Sequence, residues 1–106
     1  MFVSQFFVAD GSPNANQFVI HDDSCIAFQS YDSRVCEIST DKNLNKVVKF
    51  GRDYNYSNTT SKHLNEFLRQ NGLSCLASAK DRKEAIKLGY ARYNKSVVVV
   101  YDDTME

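Results

Sequence analysis

The sequence predicts an α+β domain: an antiparallel β-sheet laid down first as an N-terminal meander, with two α-helices packed on one face, in the order β-β-β-β-β-α-β-α-β. Three observations carry this. Seven Phe and six Tyr in 106 residues favour a sheet-containing fold over a helical bundle. The apolar pattern changes from a strand-like to a helix-like period beyond about residue 60. Turn-forming residues punctuate the first half at short intervals. A chain of 106 residues is long enough for one core and not for two, so residues 1–106 read as a single domain.

The elements follow in order. Phe2–Val8 is a β-rich run, and Asp10-Gly11-Ser12-Pro13-Asn14 reads as a loop. Phe18–His21 is a second strand stopped by Asp22-Asp23. Cys25–Gln29 and Arg34–Ser39 flank the polar Ser30-Tyr31-Asp32-Ser33 as hairpin arms do, with Val35, Glu37 and Ser39 alternating against Cys36 and Ile38. Lys46–Phe50 is a fifth strand whose flanking lysines suggest a sheet edge. Leu64, Phe67 and Leu68 then mark a helix face, and Asn71-Gly72 supplies a left-handed stop. Leu73–Ala77 reads as a short strand. Ser78-Ala79-Lys80-Asp81 fits a capping box in its Asp form and opens a second helix running to about Tyr93. Its face of Ala85, Ile86, Gly89 and Tyr93 opposes one of Lys80, Lys83, Glu84 and Lys87. Val97–Tyr101, apolar without alternation, reads as a strand covered on both faces, and with the preceding strand and helix it suggests a βαβ crossover.

Composition excludes several function classes. No apolar run approaches the roughly 20 residues of a membrane helix, and Met1–Val8 lacks a basic region and is interrupted by Ser4 and Gln5, unlike a signal peptide. A cytoplasmic protein is the expectation. Cys25, Cys36 and Cys75 form no Cys-x-x-Cys pair and read as buried reduced thiols rather than a zinc or redox site. Two histidines cannot build a His-rich metal site, Asp22, Asp23, Asp102 and Asp103 would have to converge to hold a hard cation, and no nucleotide-binding or nucleophile-elbow motif is present. The expectation is therefore no cofactor, no metal and no enzyme activity.

Charge is segregated although it sums to zero. Residues 1–41 hold one basic and six acidic groups, residues 42–95 twelve basic and four acidic, and the tail adds Asp102, Asp103 and Glu106. A basic segment attracts phosphate chains. Two constellations lie in it. At the first helix entrance Ser57, Thr59, Thr60, Lys62 and His63 combine hydroxyls, free N–H groups and charge, the makings of an anion site; the plainer reading is an N-cap. On the second helix Lys80, Lys83 and Lys87, with Arg69, Arg82, Arg92 and Lys95, suggest a phosphate-binding face, and Tyr54, Tyr56, Tyr90 and Tyr93 suggest stacking platforms. The plainer reading there is a solvated face on which Glu84 bridges Lys80 and Lys87.

Phe28-Gln29-Ser30-Tyr31-Asp32-Ser33 and the run Tyr54–Leu64, continuing through Phe67-Leu68, resemble a family of small uncharacterised bacteriophage and mobile-element proteins that pair a Ser-Tyr hairpin with a Tyr-Ser-x-Thr-Thr-Ser-Lys-His helix start. The resemblance covers about residues 24–72. It implies a setting inside a bacterial host cell and a non-enzymatic protein that binds and inhibits a host nucleic-acid-targeting defence complex, an anti-CRISPR-like role. The partner expected is a host defence protein or nucleoprotein complex. The alternative is a small nucleic-acid-binding module using the basic 42–95 region. No membrane partner is expected, and a homodimer through the Lys46–Phe50 edge is left open.

Overall fold

A computed structural model describes residues 2–7, 13–22, 24–31, 33–55 and 57–105. The domain is α+β. Strands β1 (Phe2–Phe7), β2 (Pro13–His21), β3 (Cys25–Ser30), β4 (Ser33–Thr40) and β5 (Lys46–Gly51) come first. Helix α1 (Asn58–Gln70), a 3-10 turn (Ser74–Leu76) and helix α2 (Ala79–Leu88) follow, and β6 (Tyr90–Ala91) and β7 (Asn94–Asp102) close the chain. One seven-stranded sheet runs β1-β2-β3-β4-β5-β7-β6. Every pairing is antiparallel except β5 with β7, which run parallel. Parallel neighbours cannot be joined by a hairpin, and the connection here consists of both helices, the 3-10 turn and β6.

Register decides which face the helices cover. Phe28 faces Cys36, Cys36 faces Phe50, Ile38 faces Val48 and Val48 faces Val99. Residues directly opposite share a face, so these side chains form one apolar surface. Leu64, Phe67 and Leu68 of α1 and Ala85 of α2 join the same buried cluster, which places both helices on that face. Phe67 stacks on Phe28 with ring centroids 5.2 Å apart. Burying each of the three large α1 side chains contributes about 1.5–3 kcal/mol, which is how this 13-residue helix stays folded although isolated helices of that length are marginal. The other sheet face is mixed: Arg34 pairs with Glu37 at 2.7 Å, Glu37 lies opposite Lys49, and Val100 is exposed.

The helix stops are those the residue types demand. At the end of α1, Gly72 adopts φ +74, Gly72 N–H donates to Arg69 and Leu73 N–H donates to Leu68 at 2.8 Å, a Schellman pattern. Ser78 caps α2 by accepting from Asp81 N–H at 3.1 Å.

Several expectations are corrected. Pro13 and Asn14 belong to β2, paired with Phe7 and Phe6, while Val8–Ser12 of the expected opening strand and loop lie outside the described residues. Leu73–Ala77 is not a strand: Leu73, Leu76 and Ala77 are buried, and this i, i+3, i+4 spacing suits a helical turn, whereas a strand would turn alternate residues inward. The second helix ends at Leu88 rather than near Tyr93, because Gly89 takes φ +85 and donates back to Ala85 at 2.7 Å. Tyr93 therefore leaves the helix and sits, 70% exposed, in the β6–β7 turn. β5 is not an edge, since β7 pairs along its far side, so among the described strands the outermost are β1 and β6, and the Lys46–Phe50 strand considered for a homodimer is already paired on both sides. The parallel crossover starts at β5, not at residue 73. In β7 only Val97 and Val99 are buried, so this strand is covered on one face.

Candidate functional site

Two separate surfaces hold the residues singled out in the sequence. The first is a cleft of about 600 Å3 between the β3–β4 tip and the start of α1. Ser30, Tyr31, Ser33 and Val35 line it from the hairpin, and Asp53, Ser57, Thr59 and Thr60 from the chain entering α1. The two segments that carry the sequence resemblance thus meet in space. Asp32 and Tyr56, which belong to those segments, lie outside the described residues.

Local structure sets the cleft's polarity. Ser30 pairs with Ser33 across a two-residue loop, and Tyr31 takes φ +55 there. Such loops favour Asn or Gly, and a left-handed conformation costs most other residues about 1–2 kcal/mol. Gln29 Nε2 donates to the Tyr31 carbonyl at 2.9 Å and holds the turn. The Tyr31 side chain nonetheless stands 61% exposed at the rim. Ser33 Oγ donates to Asp53 Oδ2 at 2.6 Å, fixing the carboxylate against the hairpin. Behind Ser30, buried Gln17 donates from Nε2 to Ser30 Oγ at 2.9 Å, and its side-chain carbonyl oxygen has no partner among the described residues.

At the entrance of α1 the capping reading holds for Ser57, which accepts from Thr60 N–H at 3.1 Å and donates to Thr60 Oγ1 at 3.1 Å. Thr60 is buried, while Thr59 is exposed. The first turn carries no acidic side chain. Lys62 is exposed and His63 half-buried, and neither belongs to the cleft's described lining. The expected union of hydroxyls with Lys62 and His63 is thus not assembled in the cleft, which carries the Asp53 carboxylate instead. Desolvation, and then the neighbouring Lys62 charge, push His63 below the ordinary histidine pKa.

The second surface is on α2. Lys80, Lys83 and Lys87 are all exposed along one stripe. Among the described residues none of the three is ion-paired. Glu84, expected to bridge Lys80 and Lys87, instead takes Arg92 at 3.3 Å. That ion pair links the β6–β7 turn to α2, and the Arg92 guanidinium lies 5.5 Å from the ring centre of its neighbour Tyr93. Arg69 and Lys62 lie on the exposed side of α1, where Arg69 pairs with Glu66 at 3.7 Å. Tyr54 is packed against Phe50 and Tyr101, which removes it from the expected stacking platforms, while Tyr90 is half-buried.

Arg82 does not join the basic surface. It is 1% exposed and donates to Ser61 Oγ at 2.7 Å, to the Leu76 carbonyl at 3.0 Å and to Asn65 Oδ1. Burial lowers its pKa to about 10, so the guanidinium stays charged at neutral pH. Sequence reasoning counted it with the lysines, yet its i, i+3 spacing to Ala85 marked the buried face. The cysteines are all free, Cys36 buried and Cys25 and Cys75 half-buried, with burial raising each thiol's pKa. Among the described residues no group of three His, Cys, Asp or Glu side chains is placed to hold a metal ion, and no helix is long and apolar enough to cross a membrane.

One mixed sheet with two helices on a single face, a hydroxyl-lined cleft at a hairpin tip and a cationic helix beside an exposed tyrosine define a small α+β domain with two open surfaces. The chain belongs to DUF8033, a family of unknown function whose model matches residues 3–86. No curated protein and no solved structure matches it. The matched region takes in the whole described cleft and ends within α2, after Lys80 and Lys83 and before Lys87, Arg92 and Tyr93.

Proposed function

We propose that this protein is a non-enzymatic binding module that contacts single-stranded nucleic acid through α2 and the β6–β7 turn. The reading rests on the exposed stripe of Lys80, Lys83 and Lys87, which has no carboxylate partner among the described residues, and on the exposed Tyr93 of the β6–β7 turn, whose neighbour Arg92 pairs with Glu84 of the same helix. Lysines spaced along one helix face track a phosphate backbone, and an exposed aromatic ring gives an unpaired base a surface on which to stack. Lysines already neutralised by glutamates would have little charge to offer a phosphate. The test is fluorescence anisotropy with labelled single-stranded and duplex oligonucleotides. Tyr93→Ala should weaken single-strand binding by about tenfold, from the roughly 1–3 kcal/mol a stacked base contributes, and leave duplex binding nearly unchanged. Equal loss on both would count against a stacking role.

A second reading, inhibition of a host nucleic-acid-targeting defence complex, is supported by the resemblance of residues 24–72 to phage-type proteins. It predicts a protein partner retained from host lysate after nuclease treatment, and protection of phage or plasmid in cells expressing the chain. Partners that disappear with nuclease favour the direct nucleic-acid reading.

A further inference from the structure

The cleft at the hairpin tip is separate from the lysine surface, and its chemistry is different. Its described walls hold no lysine or arginine, one carboxylate and several hydroxyls. Asp53, held by Ser33 at 2.6 Å, repels an anion. The start of α1 on the facing wall carries the positive end of the helix dipole and no acidic side chain to offset it, so it disfavours a cation. Among the described residues, the two walls offset each other's charge and suit a neutral ligand that both donates and accepts hydrogen bonds. Asp53 takes donors, the Thr59 hydroxyl serves either role, and Gln17 occupies an acceptor site on Ser30 Oγ, which leaves the Ser30 hydroxyl hydrogen to be donated.

Tyr31 supplies the remaining part. It occupies a left-handed position that Asn or Gly would take at less cost, and it leaves its ring 61% exposed at the cleft rim. Among the described residues, no buried packing accounts for a tyrosine there. A ring beside a carboxylate and hydroxyls suits the apolar face and hydroxyl edge of a sugar. The volume of about 600 Å3 falls within the range of small-molecule sites. We infer that this cleft is a saccharide-binding site, with Tyr31 as the stacking face and Asp53, Ser30 and Thr59 as the hydroxyl-recognising groups. This inference does not depend on nucleic-acid binding by α2.

The experiment is a 1H–15N NMR titration of the intact chain with galactose, N-acetylglucosamine and maltose, using inorganic phosphate and tetramethylammonium as controls. At least one saccharide should produce saturable shifts at the amides of Ser30, Tyr31, Ser33 and residues 57–60, and neither ion should. Tyr31→Asn should weaken that titration by about tenfold while raising the melting temperature, since Asn tolerates the left-handed turn. Asp53→Asn should weaken it as well, and its amide spectrum away from the cleft shows that the variant is folded. The assignment is overturned if no saccharide produces saturable shifts there, if either ion reproduces them, or if both variants titrate like the wild type. A Tyr31→Asn melting temperature that does not rise also overturns it, because tyrosine would then sit at the turn without cost.

Discussion

Arg82 Nη2 donates to Ser61 Oγ across 2.7 Å, joining α2 to α1 beneath the surface that the lysines present to solvent. With its bonds to Asn65 and the Leu76 carbonyl, this guanidinium links both helices and the 3-10 turn between them. Its partners are neutral oxygens, so its charge is solvated by the protein's own dipoles. Arg82→Ala should cost about 3 kcal/mol or more, through lost charged hydrogen bonds and the space left behind. Arg82→Lys, which lacks the planar fork, should recover only part of this. Urea denaturation measures both, and an Arg82→Ala midpoint close to wild type would show that the hub is dispensable.

Gly51 and Gly72 test two different reasons for glycine. A Cβ on Gly51 would lie 2.6 Å from the Arg34 carbonyl oxygen, a backbone atom that cannot move aside cheaply. Gly72 has open space around it but takes φ +74. Gly51→Ala should destabilise by about 1–3 kcal/mol from overpacking and Gly72→Ala by about 1 kcal/mol from backbone strain. The order of the two melting temperatures checks the argument, and a lower value for Gly72→Ala contradicts it.

Leu44 takes φ +66 in the β4–β5 turn and is 83% exposed. Leu44→Asn should therefore stabilise the fold by about 1 kcal/mol, because asparagine tolerates this region and no buried contact is lost. A fall in thermal midpoint would mean that the leucine packs against something in solution.

His63 gives the acid side of the stability profile a definite sign. Its folded-state pKa lies below the ordinary value because burial and Lys62 disfavour the charged ring. The unfolded chain thus binds the proton more readily, and stability rises with pH across this window. The contribution is fully present above about pH 6.5 and is lost as pH falls through the lower folded-state pKa. His63→Gln should flatten the change in urea midpoint over that interval. An unchanged slope would assign the acid sensitivity to other groups.

Much of this architecture was legible in residue patterns. The Ser78 cap of α2, the Asn71-Gly72 stop and the apolar face of α1 are local signals, and each appears where the sequence places it; of the capping box, the Ser78 half is seen, its hydroxyl accepting from Asp81 N–H. What escaped depended on distant partners. The lysines flanking β5 suggested an edge, but β7 arrives from about 50 residues later in the chain and pairs alongside it. Arg82 looked like one more surface cation because nothing in its neighbourhood announces Ser61 and Asn65 as acceptors. At the cleft, the hairpin and the helix entrance were each visible, and the sequence resemblance grouped them, but Asp53 was not among the residues singled out. Its role comes from a 20-residue separation closed by the Ser33 hydrogen bond.

Whether the α2 lysine stripe engages nucleic acid is decided by the salt dependence of binding. The affinity for a labelled single-stranded oligonucleotide would be measured over a range of salt concentrations, for the wild type and for the Lys80→Glu, Lys83→Glu, Lys87→Glu variant. Three phosphate contacts correspond to a log–log slope of about −2 for a single strand. The wild type should be at least that steep, and the variant should bind far more weakly with a slope shallower by about 2. Wild-type and variant curves of equal affinity and slope, or no binding by the wild type at low salt, would contradict the claim.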